Sequence, residues 1–332
     1  MILICYGTRP EWIKIKPLLE EMKGRIPHRV LFTGQHEHIG EFYHDYAIKI
    51  ASSGNRLDSI IGATSTLSDK VFDDIEYVLV QGDTASTFAM ALCAFNRKKK
   101  IIHLEAGLRT YDMENPYPEE GYRQMISRIS SINFCATENN MASLLIEKCP
   151  GRIFVVGNTV LDNLVGTKTT YGNEVLVTMH RRENHSILDQ WFRTMNEIAE
   201  ENPNLKFTIP LHPNPNVQKH KNLLSNFNVI RPLDYDDMIK KIANCRLLIS
   251  DSGGIQEESS FLNKRVIVCR KFTERQESVG THSIMCPSPD LLKSIFTSVN
   301  ENYKIQKPCP YGDGQASKLI VQRILGVKNE TK

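Results

Sequence analysis

The sequence predicts an α/β chain built as two parallel-sheet domains that share a central cleft. Three observations predict it. Short runs of branched apolar residues alternate with longer amphipathic stretches along the whole chain. The runs are continuously apolar rather than alternating, which suits strands covered on both faces, and βα repeats make the sheets parallel. Six of the loops that follow these runs are rich in Arg, His, Asp, Glu or Gly, and ligands of open parallel sheets sit off the carboxyl ends of the strands.

In chain order, the first half has runs at 2–5, 29–32, 77–80, 100–104, 132–135 and 153–156, with helical stretches such as 11–22 and 84–95 between them. The second half has runs at 175–178, 206–209, 229–231, 246–249 and 266–269. The segment GNTVLDNLVGTKTTYG at 157–172 marks the break between the two sets. The polar loops are GTRPE, QGDTAST and EAGLRT in the first half, and HRREN, PLHPNPN and SDSGGIQEES in the second. Their placement in both halves is what predicts a shared cleft.

Composition narrows the function classes. The 332 residues are 41% apolar and 24% charged, as in an ordinary globular protein. A net charge of +3 is too small to point to a nucleic-acid partner, and the dense basic run Arg97-Lys98-Lys99-Lys100 reads as a solvated turn before a strand. The cysteines at 5, 93, 135, 149, 245, 269, 286 and 309 form no Cys-x-x-Cys pair, which argues against a thiolate zinc site and fits a reducing, cytoplasmic setting. The start, MILICYGTRPE, reads as a buried first strand rather than a signal peptide. No apolar stretch approaches the ~20 residues that span a bilayer, so no membrane partner is expected.

Each loop carries a chemical reading. In Ser250-Asp251-Ser252-Gly253-Gly254-Ile255-Gln256-Glu257-Glu258 a buried strand runs through a small-residue turn into a helix. Helix-start amides and the Ser252 hydroxyl can seat a diphosphate, and glycines allow close approach. Glu258, a turn further in, is placed to accept from both ribose hydroxyls; the alternative is an ordinary helix capped by Ser252 or Asp251. In the first loop, Pro10 suits a first helical turn, while Arg9 and Lys14 are candidates for an anionic leaving group. Surface solvation is the alternative for Lys14. His180 is a candidate phosphate contact, and His212 a similar one. Acid–base candidates are Asp83, Glu105 and Glu119, with Glu120 beside the last. Asp83 and Glu105 follow neighbouring strands, and two close carboxylates separate into an acid and a base. An ion pair with Arg109 is the alternative for Glu105.

Taken in order, GTRPE, QGDT, EAGLRT, PYPEE, GNTV, HRRE, HPNPN, SDSGGIQEE, TERQE and PYGDGQAS resemble the non-hydrolysing UDP-N-acetylglucosamine 2-epimerases along nearly the whole chain. The resemblance implies a glycosyltransferase-B-like fold: two Rossmann-like domains, 1–160 and 161–310, with the helix at 316–325 in a tail, 311–332, that returns to the first domain. It implies reversible 2-epimerisation of a UDP-N-acetylhexosamine, UDP-GlcNAc to UDP-ManNAc, for surface polysaccharide. UDP is eliminated through a 2-acetamidoglucal and then re-added, with no metal or redox cofactor. The sequence also lacks a metal-ligand spacing and a Gly-x-Gly-x-x-Gly turn. Asp83, Glu105 and Glu119 would be the catalytic carboxylates, with base and acid unassigned among them. Arg9, Lys14, His180, Ser252, Gly253, Gly254, Glu258 and Arg275 would bind the UDP-sugar. Gln35, Glu120, Arg181 and His212 match an activating UDP-GlcNAc site found in many members. Homodimers are usual in the family.

The chain departs from the family pattern at Tyr122, usually Asn, at Leu233 in the uracil-binding loop, at His38 in the activator site, and at Gln276 in Arg275-Gln276-Glu277. The segment at 164–173 is also short. These departures keep open a 2-epimerase of a deoxy or diacetamido UDP-sugar. A hydrolysing epimerase or glycosyltransferase of the same fold, and a nucleotide-sugar sensor without turnover, are further alternatives.

Overall fold

The computed structural model describes residues 1–36, 42–50 and 55–330, with side chains to 327; His38 lies outside the described residues. Two units emerge from the pattern of internal contacts: Met1–Asn163 with Gly312–Lys332, and Leu164–Tyr311.

The first unit runs β1 (Ile2–Tyr6), α1 (Arg9–Met22), β2 (His28–Phe32), β3 (Tyr46–Ala47), α2 (Arg56–Ser65), β4 (Tyr77–Gln81), α3 (Ala85–Asn96), β5 (Lys100–Leu104), α4 (Glu119–Ile129), β6 (Ile132–Cys135), α5 (Glu138–Ile146) and β7 (Arg152–Val155). Among the described residues its seven strands are all parallel, in the order β3-β2-β1-β4-β5-β6-β7. The continuous apolar runs explain this, because β1 buries alternate side chains on opposite faces. Ile2, Ile4 and Tyr6 pack with Trp12, Ile15 and Leu18 of α1. Leu3 and Cys5 pack with Ala89, Met90 and Cys93 of α3. A half-exposed sheet would need only one apolar set.

The second unit runs β8 (Glu174–Thr178), α6 (Leu188–Glu201), β9 (Lys206–Pro210), α7 (Pro215–Gln218), β10 (Asn228–Ile230), α8 (Tyr235–Asn244), β11 (Leu247–Ser250), α9 (Gly253–Phe261), β12 (Val266–Val268), β13 (Ser283–Met285) and α10 (Pro289–Glu301). Its six parallel strands are ordered β10-β9-β8-β11-β12-β13. Val175, Val177, Leu247 and Ile249 form the core with Trp191, Phe192 and Met195 of α6 and Leu292 and Phe296 of α10. Each such side chain, once fully buried, contributes roughly 1.5–3 kcal/mol of transfer free energy. The last helix, α11 (Ala316–Glu330), places Ile320, Val321 and Ile324 in the first unit's core beside α1.

Each apolar run read from the sequence is a strand, within a residue or so at its ends. Two strands were not foreseen, β3 and β13, and both are sheet edges of two or three residues. An edge strand pairs on one side only, so its sequence need not be a long apolar run.

Candidate active site

In both units the connection order reverses at one place: between β1 and β4, and between β8 and β11. There the loops leave in opposite directions and open a crevice off the strand ends. In the first unit that place is flanked by the loop Gly7-Thr8 and the turn Gly82-Asp83-Thr84, and in the second by Met179-His180-Arg181 and Asp251-Ser252-Gly253. The polar loops therefore cluster by topology.

The first unit fills its own crevice. Glu11, 3% exposed, accepts from Gly7 N at 2.5 Å and Thr8 N at 2.9 Å, and its other oxygen accepts from the Thr84 and Thr87 hydroxyls. Thr8 caps α1 in return, completing a capping box, with Pro10 in the first turn. Burial pushes the Glu11 carboxyl above its ordinary range, opposed by these four donors. Gly7 is required by proximity: a Cβ there would lie 2.2 Å from both Thr33 Oγ1 and Ser86 Oγ.

Around this plug two of the acid–base candidates, Glu105 and Asp83, are each held by a cation. Lys14, on α1, reaches Glu105 Oε2 at 2.5 Å, and the Gln81 amide donates to the same oxygen. Arg123, on α4, donates from Nε to Asp83 Oδ2 at 2.6 Å. The anticipated Glu105–Arg109 alternative is replaced: Arg109 pairs with Glu147 at 2.7 Å, and Glu105 with Lys14. Lys14 is likewise not a solvated surface cation, since its side chain is 14% exposed. Glu105 has φ +61°, a left-handed conformation that costs a non-glycine residue of order 1 kcal/mol and turns the chain sharply off β5. Glu119 opens α4, half-buried, with Tyr122 one turn on; the Tyr122 ring stacks on Phe88 at 4.9 Å. Burial, and then Tyr117 and Glu119, push the Tyr122 phenol up.

In the second unit the buried carboxylate that holds the loop after β8 is Asp251, at the end of β11. It accepts from His180 N at 3.0 Å, Arg181 N at 2.8 Å and Asn184 Nδ2 at 3.1 Å. His180 and His212 stack with centroids 5.4 Å apart. Burial is the main cause that lowers both imidazoles, Asp251 opposing it in each. A neutral stacked pair keeps a donor for an anion without mutual repulsion. Ser252 occupies the N-cap of α9, but its side chain makes no capping bond, and its own amide donates to Ser250 Oγ at 3.0 Å. Neither Ser252 nor Asp251 is thus a side-chain cap, so the start of α9 keeps amides and a positive dipole end for a ligand. Behind it runs an ion network that is buried except at its Glu183 end. Arg275 bonds Glu257 at 2.6 Å and Glu274 at 2.5 Å, and Arg270 bonds Glu274 at 2.9 Å and Glu183 at 2.6 Å. Glu258 is buried one turn into α9; burial first, and then this carboxylate, push the Tyr235 phenol up.

The structure thus gathers Lys14, Asp83 and Glu105 at the first unit's strand ends, and His180, Arg181, His212, Ser252, Gly253 and Gly254 at the second's. Arg9 is exposed at the start of α1, its amide 3.4 Å from His36 Nδ1. Arg275 is 6% exposed and lies against Gly253, with its guanidinium committed to two carboxylates. Among the residues matched to an activator site, Glu120 is fully buried and accepts from Thr110 N, Tyr111 N, Arg123 and Gln124, while Gln35 accepts from Ser86 N at 3.0 Å in the first turn of α3. Residue-by-residue reading missed Arg123, Asp251 as a loop holder, Glu11 as a plug and His103. The Asp83 that Arg123 holds, the loop that Asp251 holds, the threonines that Glu11 reaches and the Gly82 that His103 meets all lie far away in sequence, whereas the Thr8–Glu11 capping box has a local spacing.

The comparisons with known proteins agree with one another. A family model described as UDP-N-acetylglucosamine 2-epimerase matches residues 20–325. A UDP-N-acetylglucosamine 2-epimerase of Neisseria meningitidis is 36% identical, over 98% of this chain and 99% of that one. The crystal structure of UDP-GlcNAc 2-epimerase from Neisseria meningitidis bound to UDP-GlcNAc superposes with a TM-score of 0.88 at 34% identity, covering 98% and 99%. MurG of Acinetobacter baumannii, 10% identical with a TM-score of 0.58 over 98% of both chains, shares the fold alone, a glycosyltransferase-B-like pair of Rossmann-like halves.

Proposed function

The chain belongs to the UDP-N-acetylglucosamine 2-epimerase family, and from that membership we propose that it inverts carbon 2 of a UDP-N-acetylhexosamine, interconverting UDP-GlcNAc and UDP-ManNAc. The observation that carries the chemistry is the pair of carboxylates at adjacent strand ends, Asp83 held by Arg123 and Glu105 held by Lys14. Epimerisation at a carbon not activated by a carbonyl needs a proton taken from one face and another returned to the other. In the proposed sequence a carboxylate removes the carbon-2 proton as the carbon 1–oxygen bond breaks. UDP leaves with the bonding pair, giving a 2-acetamidoglucal. UDP then re-adds at carbon 1 while carbon 2 is protonated on the opposite face. Asp83, Glu105 and Glu119 are the groups assigned to these transfers.

The second unit is assigned the UDP. The start of α9 with Ser252, Gly253 and Gly254 takes the diphosphate, assisted by His180, and Glu258 takes the ribose. Arg9 and Lys14 add positive charge toward the leaving group, and Arg275 holds the α9 turn. Gln35, Glu120, Arg181 and His212 remain assigned to an activator site. The reading includes a cytoplasmic homodimer that supplies a donor for surface polysaccharide. Among the described residues no helix is long and apolar enough to cross a membrane. A second reading, 2-epimerisation of a deoxy or diacetamido UDP-sugar, is favoured by Tyr122, whose buried ring lies beside Glu119.

The test is incubation of the protein with UDP-GlcNAc in D₂O without added cofactor, following carbon 2 by NMR. Deuterium at carbon 2 with UDP-ManNAc appearing is the expected result. Bound UDP-GlcNAc without exchange, and no exchange across a panel of UDP-sugars, would refute it.

A further inference from the structure

His103 is a buried titratable group, 1% exposed, that the chemistry above does not use. It lies on β5, paired with Val80 of β4 on one side and Asn133 of β6 on the other, two residues before Glu105. Its Nε2 is 2.8 Å from the carbonyl oxygen of Gly82. The amide of the same glycine donates to Leu104 O at 3.0 Å. Gly82 is therefore gripped at both poles by two consecutive residues of β5, and it has φ +76°, so the chain turns sharply there. The carbonyl that His103 holds belongs to the peptide joining Gly82 to Asp83. Fixing that peptide plane fixes where the Asp83 backbone begins.

We propose that His103 is a positioning residue for the epimerisation: as a neutral imidazole carrying its proton on Nε2, it clamps the Gly82–Asp83 peptide to β5 and so registers Asp83 against Glu105. The inference rests on the epimerase reading for its catalytic consequence, but not for the clamp itself. The tautomer follows from the partner, because a carbonyl oxygen only accepts, so the nitrogen facing it must donate. Nδ1 is buried and has no partner among the described residues, so a second proton would have nowhere to go. Desolvation holds the imidazole at about 4, with the Gly82 contact and the nearby Asp83 and Glu105 charges working the other way. Neutrality is itself useful. A cation at this place would add a third positive charge to a site where Lys14 and Arg123 already partner the two carboxylates.

The test uses the full chain with His103→Gln, which keeps a donor of similar reach, and His103→Leu, which keeps bulk and loses the donor. The readouts are carbon-2 exchange in D₂O, UDP titration by calorimetry, and imidazole ¹⁵N shifts of the unmodified protein from pH 5 to 8. The expectation is that His103→Leu lowers kcat at least tenfold with KM for the UDP-sugar and Kd for UDP within about twofold. His103→Gln should keep a third or more of the wild-type kcat. The ¹⁵N shifts should show an Nε2–H tautomer that does not titrate above pH 5. Wild-type kcat in His103→Leu, or kcat lost equally in both variants, would overturn the proposal. So would an Nδ1–H tautomer or a titration near 6.5, a measurement that stands even if His103→Leu does not fold. An unmodified protein without exchange on any UDP-sugar would instead defeat the epimerase reading, and the tautomer would still decide the clamp.

Discussion

Replacing Asp251 by alanine removes the acceptor for three donors at once: His180 N at 3.0 Å, Arg181 N at 2.8 Å and Asn184 Nδ2 at 3.1 Å. A hydrogen bond to a charged group contributes about 1.5–3 kcal/mol, and a buried donor left without one costs about 1–3 kcal/mol. Two of the three donors sit in a half-exposed loop that water can reach, and Asn184 keeps Cys269 O as a partner at 3.0 Å. The net loss should therefore be about 2–4 kcal/mol rather than the full sum. The protein has two tryptophans, Trp12 in the first unit and Trp191, 1% exposed in α6 of the second. In a Trp12→Phe background the fluorescence of Trp191 reports urea unfolding of the second unit alone. Asp251→Ala should lower its midpoint by that free energy divided by the m-value. Calorimetry should show weaker UDP binding, because the loop that carries His180 is no longer pinned. A midpoint shift worth less than 0.5 kcal/mol, with unchanged UDP affinity, would refute the view that Asp251 builds this end of the site.

Three other outcomes follow from the same geometry. Asp83→Asn and Glu105→Gln should each abolish carbon-2 exchange while changing UDP affinity by less than about threefold; an Asp83→Asn protein with full activity would remove Asp83 from the chemistry. Gly253→Ala places a Cβ 2.4 Å from Arg275 Nη1 and should cost about 3 kcal/mol by displacing a buried ion-paired guanidinium. Gly254→Ala meets nothing within 4 Å and should leave Tm within about 2 °C, so calorimetric melts of the two alanine variants side by side check the packing. For pH, His103 has a folded value of about 4 against an ordinary 6.5, so the unfolded chain takes up its proton first as pH falls. The stability tied to its neutral form is full above 6.5 and is lost between 6.5 and about 4. Relative to His103→Gln, the unmodified protein should lose about 2 kcal/mol between pH 7 and 5, read from urea midpoints; parallel pH profiles would contradict a buried neutral imidazole.

The sequence by itself determined the layers and the loops. Strands such as β1 and β11, buried on both faces, are apolar along nearly their whole length, so they stand out as runs. The loops after them must carry polar groups and turns, so GTRPE, QGDT, HRRE and SDSGG stand out as motifs. Edge strands β3 and β13 escaped because one neighbour imposes only half the constraint. Partnership was decided by tertiary structure alone. Glu105 follows β5 and faces a lysine 91 residues earlier, Asp251 holds a loop 70 residues earlier, and Asp83 is tied to an arginine 40 residues later. Local spacing offered Arg109 to Glu105 and a helix cap to Asp251, and the fold supplied other partners to both. The physical reason is strand order. Parallel strands adjacent in a sheet need not be adjacent in the chain, so the ends that meet at a switch point, and the charges they bring together, are set by topology and not by distance along the sequence.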